Sequence, residues 1–321
     1  MLDAERSGVR HRFRGNWRLV GTGSRTPLWY ARVRKLVKRS GGRQGQPASG
    51  EKLSPRPLEP QSPPGTRVAR MFFDDHPRFY ETSATTAYHG RLNLRYEAIF
   101  GENEEIFQGA RVLDIASHDG RWSLAALKTG AKSVTGIEAR PHLVKNAEAN
   151  LAACGIDEDR YRFVTGDVFE VLANETFEVD VVMCLGFLYH TLRFNELMKR
   201  IRQLNPKYLI IDTEVLPRHS DEALILIHHE IVSREGNAVA DQFSHGEWVL
   251  SGKPNLKGLR QMLRAYDYKL EKLSDWGALI RDNPAATDIG DYGARERLTA
   301  LCTWLPDGSR SGPGGSQVRQ G

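Results

Sequence analysis

The sequence predicts a doubly wound α/β domain, a parallel sheet covered on both faces by helices, and two observations carry that prediction. Short runs such as Val112-Leu113-Asp114-Ile115 and the segment 179–185 are apolar on both faces, as strands buried on two sides must be. They alternate with helix-spaced segments of about ten residues, the first two of which are closed by Gly130 and Gly155.

Taken in order, residues 1–69 are rich in Arg, Gly, Pro, Ser and Gln, and 41–65 hold almost nothing apolar, so this segment reads as a disordered basic tail. Within it, 28–37 spaces Arg32, Arg34 and Lys35 as a short basic amphipathic helix would, suited to RNA or an anionic lipid surface. A solvated charged tail is the other reading. Composition changes abruptly at Met71, which is expected to be the natural start, with 1–70 an upstream extension.

Residues 70–109 are aromatic and charged, and are expected to form a helical cap with one or two helices over 71–100. The core domain, 110–305, begins with a strand at 110–115, a turn at 117–120 and a helix at 121–129. A strand at 133–138, a helix at 141–153 and a strand at 161–165 follow. A fourth strand at 179–185, a helix at 194–204 and a fifth strand at 208–213 complete the alternation. The connection 215–253 is far longer than the usual 4–6 residues and reads as an insertion roofing the strand ends. The tail 306–321, rich in glycine, reads as disordered.

The chain has 321 residues, 40% hydrophobic and 26% charged, which excludes disorder throughout. Its longest apolar run, 181–188, is well short of the ~20 residues of a membrane-spanning helix. The first thirty residues lack the apolar core of a secretory signal. Cys154, Cys184 and Cys302 make neither a disulfide framework nor a metal-spaced pair, so a cytoplasmic protein with free thiols is expected. The formal net charge of +5 is uneven: residues 1–60 carry +10 and residues 61–321 carry −5. The basic character belongs to the tail.

Ligands of such sheets lie beyond the carboxyl ends of the strands, where strand order reverses. The residues to search are therefore 116–120, 138–140, 166–168, 185–191 and 213–214. A small residue at Ala116, then Ser117, then Gly120 let the backbone turn sharply, while the amides opening the next helix present a positive end. Glu138 ends the second strand, where a carboxylate can accept hydrogen bonds from two ribose hydroxyls. Asp167, with the neighbouring amide of Val168, can recognise an adenine amino group, and Leu185 ends the fourth strand beside them. Together they point to an adenosine-containing ligand.

This pattern resembles the class I S-adenosylmethionine-dependent methyltransferases. There, Asp-x-Gly/Ala-x-x-x-Gly surrounds the methionine part of the cofactor, an acid after strand two holds the ribose, and an acid after strand three reads the adenine. The resemblance implies those roles for Asp114, Ala116 and Gly120, for Glu138, and for Asp167, with S-adenosyl-L-methionine as cofactor. It also implies a mostly parallel seven-stranded sheet with an antiparallel C-terminal hairpin, supplied by 268–273 and 297–303. The chain departs from the commonest pattern by Ala116 and His118, each in place of glycine, and His118 adds bulk near the methionine end. The Gly-x-Gly-x-x-Gly of nicotinamide-binding folds is absent.

After the fourth strand, Gly186-Phe187-Leu188-Tyr189-His190 resembles the Gly-x-Leu-Tyr-His segment of the methyltransferase-like enzymes that modify the wobble uridine of tRNA. Pro254-Asn255-Leu256, leading into Met262-Leu263, is similar to their later helix. His190 could serve as a general base beside the transferable methyl, with Tyr189 next to it; the two could equally line the pocket and hydrogen-bond its contents. A magnesium-like ion would want several carboxylates here, and only Asp212 and Glu214 lie near, so a metal-independent reaction is expected. His228-His229-Glu230 reads as a structural or substrate-facing pair because adjacent side chains diverge. Arg91, Arg95 and Tyr96 of the cap are candidates to touch the cofactor carboxylate or an acidic substrate, ordinary surface pairing being the alternative. The expected function is methyl transfer to a small-molecule acceptor. The alternatives are an RNA-modifying methyltransferase using the basic tail as an arm, or a non-catalytic nucleotide-binding module.

Overall fold

The computed structural model describes residues 71–85 and 88–305. The expectations for the tails 1–69 and 306–321, including the amphipathic helix at 28–37 and the RNA-binding arm, lie outside these residues.

Five parallel strands form the body of the main sheet: β1 Arg111–Ile115, β2 Ser133–Glu138, β3 Tyr161–Thr165, β4 Val181–Leu185 and β5 Tyr208–Glu214. A separate antiparallel pair, β6 Ile225–Ile231 and β7 Trp248–Pro254, lies in the insertion. β8 Tyr268–Leu273 and β9 Arg297–Trp304 complete the main sheet, β9 running antiparallel between β5 and β8. The strand order is β3-β2-β1-β4-β5-β9-β8, so the sheet is the mostly parallel seven-stranded one with the antiparallel C-terminal hairpin. Order reverses between β1 and β4, both of which leave the sheet at the same edge.

Alternation along the strands divides the core. Val112, Val134, Val181, Met183 and Ile210 pack on one face, and Leu113, Ile137, Val182, Cys184, Leu209 and Ile211 on the other. The first face receives the cap, with helices α1 Arg78–Glu81, α2 His89–Ile99 and α3 Glu104–Phe107, together with α4 Arg121–Lys128 and α5 Pro141–Ala153. The second receives α6 Val168–Asn174, α7 Phe194–Gln203 and α8 Leu256–Ala265. Short helices α9 Trp276–Asp282 and α10 Gly290–Gly293 bridge β8 to β9. Aromatic rings join cap to body: Phe73 meets Trp122 edge-on at 5.4 Å, and Phe100 stacks over Trp122 at 6.2 Å. Each fully buried ring or branched side chain contributes about 1.5–3 kcal/mol.

Two features differ from the sequence reading. Helix α6 was not anticipated, although Asp167 caps it by accepting from the Phe169 and Glu170 amides at 2.9 and 3.1 Å. The insertion 215–253 contains a two-stranded hairpin whose second strand runs directly into α8. Among the described residues, no helix is long and apolar enough to cross a membrane.

Asp212 on β5 has no exposure. It accepts from Arg95 Nη2 at 3.0 Å, Arg297 Nε at 2.8 Å, Tyr292 Oη at 2.8 Å and Thr299 Oγ1 at 2.7 Å, binding α2, α10 and β9 to one carboxylate. Burial alone would raise its pKa, but the two guanidiniums and the two hydroxyls hold it well below the carboxylate range. Asp212→Asn leaves two guanidiniums around a neutral amide, and is expected to lower unfolding free energy by about 3–5 kcal/mol in a urea titration.

Candidate active site

The loop from β1 to α4 is built on left-handed backbone. Ala116 and His118 have φ of 55° and 54°, and Gly120 has 79°. A β-carbon at 120 would sit 3.0 Å from Ala147 Cβ and Leu151 Cδ1, so glycine is required there by both backbone and packing. Ala116 and His118 hold the same handedness at a cost of about 1–2 kcal/mol each. Such strain persists where surrounding contacts over-determine it. The Ser117 amide donates to Ile137 O at 2.9 Å, the Gly120 amide to Ser117 O at 3.0 Å and the His118 amide to Glu138 Oε2 at 3.1 Å.

Asp119, fully buried, ties this loop to the cap. It accepts from Arg121 Nε at 2.7 Å and from Thr82 Oγ1 at 2.9 Å, and its Oδ1 lies 3.1 Å from His118 Nδ1. Arg121 Nη2 in turn donates to Ser83 Oγ at 2.7 Å. The His118 ring is thereby drawn toward Asp119 and Arg121, while its Nε2, buried, has no hydrogen-bond partner.

Over the switch point lies a cavity of about 640 Å³. Of the residues singled out in the sequence, Ala116, Glu138, Asp167, Val168, Leu185, Tyr189 and His190 line it, with His118 beside them. Asp114, Ser117 and Gly120 do not; they shape the loop beneath. Glu138, 3% exposed, accepts from the Arg140 amide at 2.9 Å through Oε1 and from the His118 amide through Oε2, which fixes its carboxylate at the cavity wall. Asp167 caps α6 through Oδ1 and has the Arg193 guanidinium 4.0 Å away.

Across the cavity, the one-turn helix Leu188–His190 presents Tyr189 and His190. His190 Nδ1 lies 3.0 and 2.8 Å from the two carboxylate oxygens of Glu230 on β6. Burial pushes Glu230 up, yet the hydrogen bond and charge of His190, with the Ala238 amide at 2.8 Å, bring it down to about 2. Sequence reasoning missed this partner; the signal available was a carboxylate in a strand-like run of the insertion. Arg297 lies near Tyr189, its Nη1 3.5 Å from the phenol oxygen. The insertion is pinned above the cavity at further points, where Arg140 donates to the Asn237 carbonyl and Arg193 to Asp241 at 3.2 Å.

Of the cap candidates, Arg91 lines the cavity but forms a two-pronged ion pair with Asp291 at 2.7 and 2.8 Å. Arg95 lines it too, bonded to Asp212, with its Nε buried and without a partner. Tyr96 is corrected: it stacks on Phe72 at 4.2 Å, inside the cap core, and does not reach the cavity. In the histidine pair, His228 Nε2 lies 3.4 Å from Glu230 and His229 meets Trp248 edge-on. Among the described residues no group of three or more His, Cys, Asp or Glu is placed to hold a metal ion.

Residues 112–206, from β1 through α7, match a family described as a methyltransferase domain. Two Methanocaldococcus jannaschii proteins, provisionally named ribosomal RNA large subunit methyltransferases, are 40% identical over 67 residues and 31% identical over 105. Those stretches cover 21% and 31% of this chain and only 17% and 27% of the relatives. Among solved structures, one provisionally described as an S-adenosylmethionine-dependent methyltransferase from Listeria monocytogenes has a TM-score of 0.45 at 19% identity, covering 66% of this chain and 99% of that one. The N-terminal domain of EvdMO1, solved with S-adenosylhomocysteine bound, has a TM-score of 0.46 at 16% identity, covering 68% and 82%.

Asp114, below the loop, accepts from Ser123 Oγ at 2.7 Å through Oδ2, and its Oδ1 has no partner. Burial, with the nearby Glu138 and Asp119 charges, outweighs the Ser123 bond and Arg121 and pushes it up to about 7. The folded state therefore keeps a proton that the unfolded chain releases near pH 4, so the contribution of Asp114 to stability is fullest below that pH and is lost as pH rises toward about 7. Relative to Asp114→Asn, the native chain should lose up to about 4 kcal/mol across that window, read as the difference between their urea-unfolding free energies at successive pH values.

Proposed function

We propose that this chain, whose residues 112–206 form a methyltransferase domain of the class I Rossmann-like kind, transfers a methyl group from S-adenosyl-L-methionine to a small-molecule acceptor without a metal ion. One observation carries the reading: a single cavity over the switch point holds a fixed carboxylate, Glu138, on one wall and an oriented imidazole, His190, on the other.

The residues present suit the cofactor. Glu138 keeps lone pairs free beyond the two amides it accepts from, enough for two ribose hydroxyls. The unpartnered Nε2 of His118 and the unpartnered Nε–H of Arg95 border the loop that would surround a charged amino acid end, and Arg95 fits its carboxylate. Asp167 and the Val168 amide stand where the adenine edge would lie, with Leu185 supplying apolar contact. When bound, the cofactor supplies an electrophilic methyl carbon on a cationic sulfur. The protein's task is then to hold the acceptor in line, exclude water and manage a proton.

A small acceptor is supported by the roof, because Asn237, Ala238 and Val249 line the cavity from the insertion side, which Arg140 ties down at Asn237 and Arg193 at Asp241. The net charge of −5 over residues 61–321 supports it too. The names of the two archaeal relatives favour a second reading, an RNA acceptor, whose binding should weaken steeply with salt.

Calorimetric titration of S-adenosylhomocysteine into the full chain is expected to show binding, with NAD giving none, and Glu138→Ala should weaken it by about 1.5–3 kcal/mol. Absence of binding overturns the reading. With methyl-labelled cofactor, a panel of phenols, polyols, amines and bulk RNA should place the label on a small molecule; label confined to RNA would favour the second reading.

A further inference from the structure

We propose that Glu230, on the insertion hairpin, is a positioning residue that holds His190 with its proton on Nδ1, leaving Nε2 to take the proton of an alcohol or phenol acceptor. The inference rests on the methyltransferase reading above and deepens it by naming the acceptor class.

The geometry fixes the tautomer. An ionised carboxylate only accepts hydrogen bonds, and both Glu230 oxygens lie within 3.0 Å of Nδ1, so the ring hydrogen belongs there. Nε2 is then the free lone pair. It has no hydrogen-bond partner among the described residues, and the ring lines the cavity. Glu230 is itself held, 9% exposed, by the Ala238 amide at 2.8 Å and with His228 Nε2 3.4 Å away. It sits opposite Val249, which lines the cavity, on the same face of the hairpin.

This arrangement matters for one kind of nucleophile. A neutral amine attacks through a lone pair it already has and sheds a proton to water only afterwards. A hydroxyl is a poor nucleophile until its proton leaves, so a base beside it lowers the barrier. In the step, the acceptor oxygen bonds the methyl carbon as the methyl–sulfur bond breaks, the sulfur keeping that electron pair to become a neutral thioether. The hydroxyl proton passes to Nε2, Glu230 stabilises the imidazolium across Nδ1, and the proton is later released to water. Because Glu230 comes from the insertion and His190 from the sheet edge, the base is complete only with the hairpin seated.

The test uses the full chain carrying 15N-labelled histidine and saturated with S-adenosylhomocysteine, read by long-range proton–nitrogen NMR at pH 8, with His190 assigned by its loss in His190→Gln. The expected result is a neutral ring protonated at Nδ1. Glu230→Ala should convert it to a tautomer mixture and lower kcat about 10²–10⁴-fold with little change in KM for the cofactor. Glu230→Gln, which still offers an accepting oxygen, should keep the tautomer and recover part of the rate. A ring protonated at Nε2 or at both nitrogens, or a tautomer unchanged by Glu230→Ala, overturns the proposal, as does label transferred to nitrogen alone in the acceptor panel. S-adenosylhomocysteine affinity separates the failures: if it persists in Glu230→Ala while the tautomer result is negative, only this inference falls, and if the native chain never binds it, the functional reading falls as well.

Discussion

A carboxylate with no access to water, shared between two guanidiniums, holds the cavity wall together. Asp212 ends the parallel part of the sheet, and its four donors come from α2, α10 and the antiparallel β9. A buried charge of this kind is tolerated only when its partners are fixed, so the three elements have little freedom to move apart. The same residue's carbonyl accepts the Gly186 amide at 2.7 Å, which turns the chain out of β4 toward Tyr189 and His190. Arg297 then extends the network to Tyr189, and Arg95 extends it to Trp122, over which its guanidinium lies at 4.7 Å. The cap is thus positioned over the strand ends by electrostatics as much as by its aromatic core.

Much of this was legible in the sequence because parallel strands buried on both faces leave a strong apolar signature, and the first two helices that follow them are closed by Gly130 and Gly155. The seven-stranded order itself came from the likeness of Asp114, Glu138 and Asp167 to a known pattern. The loop adds a physical reason for that pattern. Glycine is common at the positions of Ala116 and His118 because the backbone there is left-handed, and this chain keeps the handedness without the glycines. The substitution is accommodated because His118 is held from both ends, its amide by Glu138 and its ring by Asp119 and Arg121.

What stayed hidden was long-range pairing. Nothing local in Val168–Asn174 separates a two-turn helix from a loop except the Asp167 cap, and a carboxylate read as an adenine contact was not also read as a cap. The pairing of His190 with Glu230 spans forty residues and depends on which face of a hairpin turns inward. In a periodic strand of a half-buried sheet, that face is announced by its apolar residues. Here the rule is inverted.

The inversion explains the hairpin. Register places Ile225, Ile227 and His229 on one face of β6 with Leu250 and Trp248 on the matching face of β7, and Ile227 and Leu250 are 59% and 58% exposed. The opposite face carries Leu226, His228, Glu230, Val249, Ser251 and Lys253, and this mixed face is the one that meets the site, Val249 lining the cavity and Glu230 reaching His190. Hydrophobic burial would orient the pair the other way round. The orientation is held instead by His190 on Glu230, by Arg140 on Asn237 and by Arg193 on Asp241, each reaching from a strand end of the main sheet. Hydrogen bonds and ion pairs that gain strength as water leaves therefore seat the hairpin, and filling the cavity with a ligand would reinforce the contacts that close it.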